Sequence, residues 1–264
     1  MEPVQNVALD QIVLFGDSIT QHSFNPEIQG WGATLAHAYM RRLEIVNRGY
    51  SGYNTEWCKD ILADTLLTTL PAPQLGRTPK IRLMTLFLGA NDAVLPEKND
   101  RQPVPIPRYK KNLLEMLATV RRVSPGTKVV VITPPPVDPE RWAAKCRSKG
   151  KEGDRAVSYT KSYRDACLEV GVEAKKEWGT DLAVLDIWQV FFGPGKVEYM
   201  MDEVADLLSD GLHLAPRGNS LLADALLSKI SSTWPELNPE KLLGPILPHD
   251  VLDLSKSPVV LFRE

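Results

Sequence analysis

Residues 12–20 read IVLFGDSIT. Four apolar residues in succession are typical of a strand that is buried on both faces, and Gly16 allows the chain a tight exit from that strand. Ser18 therefore follows the carboxyl end of a predicted strand, the position where open α/β sheets collect their reactive groups. Because a serine hydroxyl is a weak nucleophile at neutral pH, Ser18 is a candidate nucleophile only if the chain also supplies a base, an acid and oxyanion donors.

The same succession of a short apolar run and a longer helical pattern repeats along the chain. It predicts strands over residues 11–15, 44–47, 81–88, 128–133 and 182–186. Helical spacing of apolar residues predicts helices over residues 32–42, 55–70, 107–123, 158–178 and 216–233. Strands separated by helices require crossover connections, so we expect an α/β fold with a parallel sheet covered by helices on both faces.

The composition restricts the kinds of partner and compartment. Its 31 Lys and Arg and 33 Asp and Glu give a formal net charge of −2, which offers no basic field for nucleic acid or a membrane surface. No apolar run approaches the ~18 residues of a membrane span, and residues 1–10 lack a signal-peptide pattern. The odd, widely spaced Cys58, Cys146 and Cys167 favour free thiols in a reducing compartment. We expect a cytoplasmic protein with a small neutral partner and no stable membrane insertion.

Polar loops follow the predicted strands. They are residues 16–20, 47–54, 89–92, 133–136 and, about twenty residues after the fifth strand, 210–213. Glycine and asparagine are ordinary turn residues, so one such loop indicates little. The carboxyl ends of parallel strands meet at one edge of a sheet, however, and we therefore expect these loops to gather there.

Asp210 and His213 are the candidate acid and base. A serine nucleophile needs a histidine whose other ring nitrogen is held by a carboxylate, and Asp210 precedes His213 by three residues in a loop that contains Gly211. That spacing lets the carboxylate turn back onto the imidazole. The alternative is a surface turn capped by Asp210 with a solvated His213. His22 is the rival base because it lies four residues after Ser18, but it has no acid at a useful spacing.

Three groups are candidate oxyanion donors: the backbone NH of Ser18, the backbone NH of Gly52 and the carboxamide of Asn91. A backbone NH approaches a ligand most closely where no side chain intervenes, which favours glycine at position 52. Gly52 and the pair Asn91-Asp92 are also compatible with ordinary turns. Asp17 is expected to cap the turn that supports Ser18.

Taken together, these residues resemble the SGNH hydrolases of the GDSL esterase group. The resemblance rests on four blocks that stand in the family order: Gly16-Asp17-Ser18, Gly52, Gly89-x-Asn91-Asp92 and Asp210-x-x-His213. It implies a flavodoxin-like three-layer αβα sandwich with a doubly wound five-stranded parallel sheet. It further implies a Ser18, Asp210 and His213 triad, oxyanion donation by Ser18, Gly52 and Asn91, and no metal or organic cofactor.

Within the group, residues 29–32 and 47–52 look most like the branch that hydrolyses isoamyl acetate. The resemblance therefore implies a serine esterase that hydrolyses short- to medium-chain, acetate-type carboxylic esters. A carbohydrate deacetylase, a lysophospholipase and a thioesterase would use the same residues. Two non-catalytic alternatives also stay open: a flavodoxin-like protein that binds a phosphorylated ligand, which lacks support from a glycine-rich phosphate fingerprint, and an interaction scaffold with an inactive site.

The walls of the substrate pocket are predicted from aromatic residues and prolines near these loops. Candidates are Phe24, Trp31, Tyr53, Trp57 and residues 134–137, including Pro135. Apolar walls of this kind would favour an uncharged ester. Residues 96–107 and 138–154 are expected as long loops that form a rim or lid, or only surface.

We predict one hydrolase domain over residues 1–237, followed by an apolar tail over residues 238–264. The apolar positions of the tail are residues 242–243, 246–247 and 259–262. A tail of this composition is expected to pack on its own domain, to close over the site or to pair with a second subunit in a homodimer.

Overall fold

The predicted parallel sheet is present in the structure, a computed structural model that describes residues 8–69, 79–246, 249–252 and 255. Its five strands stand in the order β2-β1-β3-β4-β5, and all of their pairings are parallel. The strands are β1 (Asp10–Gly16), β2 (Leu43–Gly49), β3 (Ile81–Phe87), β4 (Lys128–Ile132) and β5 (Leu182–Leu185). The order reverses at β1, so the carboxyl ends of β1 and β3 flank the switch point at which doubly wound sheets bind ligands.

Eight α-helices accompany the sheet in the described residues. They are α1 (Ser18–Gln21), α2 (Trp31–Ala38), α3 (Thr55–Thr69), α4 (Ile106–Val123), α5 (Pro139–Arg147), α6 (Val157–Trp178), α7 (Ile187–Phe192) and α8 (Pro216–Thr233). Helices α2, α7 and α8 pack on one face of the sheet, and α3, α4 and α6 pack on the other. The result confirms the predicted three-layer sandwich.

The central strand β1 contributes to both cores. Ile12 and Leu14 point to the face covered by α2 and α8, whereas Val13 and Phe15 point to the face covered by α3 and α4, and all four side chains are fully buried. Alternate residues of a strand project to opposite faces, so a continuous apolar run is what a strand between two helical layers requires. The burial of this strand fixes the position of the loop that follows it.

Two helices differ from the sequence prediction. Helix α2 ends at Ala38 and not near residue 42, because the chain turns through Arg41, which has a φ of +63°, before it enters β2. Residues 138–154 were expected as a loop, but they contain α5. Asp138 caps this helix by accepting hydrogen bonds from the backbone NH groups of Glu140 and Arg141, both at 3.1 Å, and Pro139 stands at its first position.

The described part of the tail lies against the layered α/β domain that precedes it. Leu242 packs against the core on the α2 side, and Arg42 Nε donates to the carbonyl oxygen of Leu242 at 2.9 Å. The neighbouring Leu243 is 67% exposed. Leu247 and residues 259–262 lie outside the described residues. The homodimer therefore stays a prediction.

A helix that crosses a bilayer must be both long and apolar. None of the helices in the described residues meets both requirements.

Candidate active site

Ser18 is the first residue of α1 and lies directly beyond the end of β1. Asp17 caps this short helix, because its Oδ1 accepts a hydrogen bond from the backbone NH of Ile19 at 2.9 Å. Asn47 of β2 holds the other end of the helix by donating from Nδ2 to the carbonyl oxygen of Thr20 at 2.9 Å. Polar side chains at the ends of two neighbouring strands thus fix the helix that carries Ser18.

The hydroxyl of Ser18 is hydrogen-bonded to the imidazole of His213. The distance from Ser18 Oγ to His213 Nε2 is 2.8 Å, and His213 Nδ1 lies 2.9 Å from Asp210 Oδ2. Asp210 Oδ1 accepts two further hydrogen bonds, from the backbone NH groups of Leu212 at 3.1 Å and His213 at 2.9 Å. The structure therefore brings together the three side chains that the sequence predicts as nucleophile, base and acid.

The loop that returns Asp210 to His213 depends on Gly211. Its φ of +92° lies in the left-handed region that favours glycine, and a side chain at this position would overlap the carbonyl oxygen of Asp138. The backbone NH of Asp138 donates to the carbonyl oxygen of Gly211 at 2.9 Å. The loop is thereby fastened to the start of α5.

The surroundings of Asp210 keep its carboxyl group ionised. Burial alone would raise the pKa of Asp210, but the hydrogen bond and the charge of His213, together with two backbone NH groups, outweigh burial and hold this pKa well below its usual range. An ionised carboxylate can only accept hydrogen bonds, so Nδ1 of His213 carries the proton shared with Asp210. Nε2 is then free to accept the hydroxyl proton of Ser18.

Gly52 and Asn91 line the same cavity as Ser18 and His213. The carboxamide nitrogen of Asn91 donates to the carbonyl oxygen of Tyr53 at 2.9 Å, which uses one of its two N–H groups. The second N–H is left to donate to a group in the cavity. The predicted oxyanion donors therefore lie in loops that meet around Ser18.

Gln102 is a site residue that the sequence analysis missed. Its Nε2 donates both to the carbonyl oxygen of Gly52 at 2.9 Å and to Oδ1 of Asn91 at 3.3 Å. Its own Oε1 accepts from Asn99 Nδ2 at 3.0 Å, which fixes the orientation of the Gln102 amide. One side chain thus joins the two loops that present Gly52 and Asn91. No short motif marks it, since it lies in residues 96–107, which were expected only as a rim or lid.

Arg155 is a second missed residue. Its guanidinium is buried, donates to Asp154 Oδ1 at 2.6 Å and lies 3.4 Å from Oδ1 of Asn91. With Gln102 it places two donors on the carboxamide oxygen of Asn91. The carboxamide nitrogen is consequently the atom left to face the cavity.

His22 also lines the cavity, with its ring 5.8 Å from the ring of His213 in an edge-on arrangement. The hydroxyl of Ser18 bonds to His213, and no carboxylate in the described ranges is hydrogen-bonded to the imidazole of His22. The lower rank that the sequence gives to His22 as a base agrees with this geometry.

The structure does not place Trp31 or Pro135 among the residues that line the cavity around Ser18. Trp31 is fully buried, its ring packs edge-on against Phe87 with centroids 6.3 Å apart, and its Nε1 donates to the carbonyl oxygen of Ile19. Pro135 is buried beyond the end of β4. Aromatic or apolar character does not distinguish a core position from a pocket position, because packing decides which surface the residue meets.

Phe24 and Tyr53, which are both predicted to contact substrate, lie in different places relative to the cavity. Phe24 is partly exposed but is not among the residues that line the cavity around Ser18. Tyr53 and Trp57 line an adjoining groove, which shares Gly52 and Lys151 with that cavity. Of the aromatic residues predicted to wall the pocket, Tyr53 and Trp57 border this part of the described structure.

The cavity itself has a volume of about 350 Å³, and most of the residues that line it are of polar or charged types. Helix α5 and the turn after it supply a large part of the wall, including Trp142 and Cys146. The charged residues that line the cavity are Lys145, Lys149, Lys151, Glu152, Asp154 and Arg155. Cys58, Cys146 and Cys167 are all free and buried, as the sequence predicts.

Two fully buried carboxyl groups adjoin these loops. Burial raises the pKa of Asp17 to about 6, against the hydrogen bond from Ile19. Burial likewise raises the pKa of Asp92 to about 7, although the NH and the hydroxyl of Thr55 both donate to this carboxyl group. Both groups therefore keep their proton to a higher pH than an exposed aspartate does.

The chain is similar to known proteins in family profile, in sequence and in structure. The profile of the GDSL-like lipase/acylhydrolase family matches residues 14–221. The chain belongs to this family. The matched GDSL region contains Ser18, Gly52, Asn91, Asp210 and His213.

Individual members of the GDSL family align in sequence with most of this chain. The isoamyl acetate-hydrolyzing esterase 1 homolog of Mus musculus is 38% identical over 233 residues, which cover 87% of this chain and 86% of the mouse protein. The isoamyl acetate-hydrolyzing esterase of Saccharomyces cerevisiae is 29% identical, over 92% of this chain and 96% of the yeast protein. These relatives and the family match identify a carboxylic ester hydrolase of the GDSL type.

Solved structures of other proteins also resemble this chain in fold. The crystal structure of the lipase/acylhydrolase from Enterococcus faecalis has a TM-score of 0.59 and 25% identity, over 85% of this chain and 96% of that one. A carbohydrate acetylesterase from Sinorhizobium meliloti has the same TM-score at 18% identity, over 85% of this chain and 100% of that one. The second comparison supports the fold alone.

Proposed function

We propose that this GDSL hydrolase is a serine esterase that cleaves acetate-type esters of short to medium chain length through an acyl-enzyme. The observation that carries the proposal is the hydrogen-bonded line from Ser18 Oγ through His213 to Asp210, with distances of 2.8 and 2.9 Å, which opens on the cavity that Gly52 and Asn91 also line. In such a hydrogen-bonded triad the histidine takes the proton of the serine hydroxyl as the serine oxygen bonds to the carbonyl carbon of the substrate.

In the acylation step, Ser18 Oγ attacks the ester carbonyl carbon while Nε2 of His213 takes the hydroxyl proton. The carbonyl oxygen becomes an oxyanion that accepts hydrogen bonds from the NH of Ser18, the NH of Gly52 and the carboxamide of Asn91. Removal of one such donor typically costs ~3 kcal/mol of transition-state stabilisation. The tetrahedral intermediate then collapses, the ester C–O bond breaks, and His213 gives the proton to the departing alcohol oxygen.

In the deacylation step, water takes the place of the alcohol. His213 removes a proton from the water, the resulting oxygen attacks the acyl carbon, and the same three donors hold the second oxyanion. Collapse of this intermediate returns the proton to Ser18 Oγ and releases the carboxylic acid. Asp210 stays ionised throughout and stabilises the imidazolium that forms in each step.

The choice of an acetate-type acyl group rests on the relatives. The proteins from mouse and yeast are both named for hydrolysis of isoamyl acetate, and the second aligns over nearly its whole length. We expect kcat/KM to fall from 4-nitrophenyl acetate to the butyrate and further to the octanoate. An enzyme that prefers the octanoate would contradict this part of the proposal.

Three variants test the catalytic assignment. Ser18→Ala and His213→Ala are expected to lower kcat for 4-nitrophenyl acetate by ~10⁴-fold or more, and Asp210→Asn by ~10⁴-fold because it removes the charge that orients the imidazole. A fluorophosphonate probe should label wild type but not Ser18→Ala. Ser51→Ala is the matched control, since Ser51 lines the same cavity without contacting His213. Near wild-type turnover of Ser18→Ala or His213→Ala would overturn the assignment.

A further inference from the structure

The wall of the Ser18 cavity carries a cluster of lysines without partners. Lys145 lies in the last turn of α5, and Lys149 and Lys151 follow in the turn beyond it. These three residues, here called the lysine cluster, all line the cavity. None of them forms an ion pair or a side-chain hydrogen bond with the rest of the described structure.

The acidic residues of the same wall do not neutralise the lysine cluster, because each already holds another cation. Glu152 Oε2 pairs with Lys98 Nζ at 2.6 Å. Asp154 Oδ1 pairs with Arg155 Nη1, also at 2.6 Å. The whole chain has a formal charge of −2, so the positive wall does not follow from a generally basic protein. A cleft lined by one sign of charge concentrates ligands of the opposite sign.

The position of α5 shows which side of an ester the lysine cluster would meet. The ring of Trp142 lies 6.0 Å from the ring of His213, and Lys145 follows Trp142 by three residues on the same face of the helix. Trp142 is held in place by its Nε1, which donates to Asp154 Oδ1 at 2.7 Å. In the proposed function His213 protonates the leaving alcohol, so the lysine cluster borders the alcohol side.

We propose that the preferred substrate is an ester whose alcohol part carries an anionic group, a carboxylate or a phosphate, and that the lysine cluster binds this group. The inference rests on the proposed function, since it takes the alcohol side from the role of His213. It also gives the lysine cluster a ligand, because an alcohol with an apolar chain would leave these three ammonium groups in the cavity without a partner.

Matched pairs of acetate esters test the inference. The anionic ester is 4-acetoxybenzoate, its neutral isostere is 4-acetoxybenzamide, and 4-acetoxyphenyl phosphate distinguishes phosphate from carboxylate. Each kcat/KM is divided by the rate constant for hydroxide-catalysed hydrolysis of the same ester, which removes the difference in leaving group. We expect the wild-type ratio of anionic to neutral ester to be ~10-fold or more at low salt and to fall towards one in 0.5 M NaCl.

The triple variant Lys145→Gln, Lys149→Gln, Lys151→Gln is expected to lower this ratio by ~10-fold or more. The control variant Lys111→Gln, Lys175→Gln, Lys176→Gln removes the same charge from α4 and α6, away from the cavity, and should keep the wild-type ratio. A wild-type ratio of one, or a triple variant with an unchanged ratio, overturns the inference while leaving the esterase intact. If neither ester is hydrolysed in a Ser18-dependent reaction, the proposed function fails and the inference falls with it.

Discussion

At the scale of single residues, the site depends on side chains that never touch the reacting atoms. Gln102 reaches both loops that present the proposed oxyanion donors, through the carbonyl of Gly52 and the Oδ1 of Asn91. Because it uses both of its N–H groups in this way, it sets the distance between the loops as well as the orientation of the Asn91 carboxamide. We therefore regard Gln102 as a positioning residue.

The variant Gln102→Met keeps the approximate length of the side chain and removes both donors. We expect kcat for 4-nitrophenyl acetate to fall by ~10-fold or more with little change in KM, because the donors would be misplaced for the transition state more than for the bound ester. The measurement is a full kinetic curve together with the melting temperature. Asp100→Asn, an exposed change in the same loop, is the control. An unchanged kcat would show that Gln102 does not position the donors.

Motif residues and supporting residues differ in how far the sequence reveals them. Ser18, Gly52 and Asn91 follow the ends of predicted strands, a placement that the hydrophobic pattern predicts. Asp210 and His213 lie beyond α7, and only their three-residue spacing and the family resemblance point to them. The contacts of Gln102 and Arg155 arise only when distant loops meet, so no local pattern contains them. For the same reason the aromatic Trp31 was assigned to the pocket although it is a core residue.

At the scale of elements, strands were easier to predict than the helices near the site. Each strand between two helical layers needs a continuous apolar run, which is a strong local signal. Helix α5 has only nine residues, Cys146 is its buried residue, and the rest are mostly charged or exposed, so the segment resembles a charged surface loop. The local sign of its start was Asp138 followed by Pro139, an N-cap and a first-turn proline.

The contact between β2 and α1 gives a prediction at this scale. A Cβ on Gly49 would overlap the backbone nitrogen of Gln21, so Gly49→Ala must displace α1 from the end of β2. Since α1 begins at Ser18, we expect a stability loss of about 1–3 kcal/mol and a fall in kcat/KM of ~10-fold or more. Urea unfolding and ester hydrolysis measure the two effects. Glu44→Ala, an exposed change on the same strand, should alter neither. Wild-type values for Gly49→Ala would mean that α1 is not held by this contact.

At the scale of the whole molecule, buried carboxyl groups link stability to pH. The raised pKa values of Asp17 and Asp92 mean that the folded state binds protons more tightly than the unfolded state. Their contribution to the free energy of unfolding is therefore complete below about pH 4 and is lost as the pH rises to about 7. Asp210 has a lowered pKa and acts in the opposite sense, since its contribution is present above about pH 4 and is lost in acid.

Asp92→Asn removes the carboxyl group that has the higher of the two raised pKa values. Asparagine keeps an oxygen for the donors of Thr55 but does not ionise, so the fall in unfolding free energy between pH 4 and 7 should become shallower. The expected difference is roughly 1.4 kcal/mol for each unit by which the pKa is raised. Denaturant midpoints at pH 4.5 and 7.5 measure it, with the exposed Asp224→Asn as control. If the unfolding free energies of Asp92→Asn and wild type changed equally with pH, the raised pKa of Asp92 would be contradicted.

The hydrogen bond between Ser18 and His213 joins residues 195 positions apart in the chain. A growing polypeptide emerges from the ribosome with its N-terminal part first, and contacts between distant residues form only after the intervening segment has folded. Ser18 and the first strand are thus made before their base, which follows 195 residues later. During translation the serine is consequently an ordinary hydroxyl until the segment that carries His213 has emerged and folded.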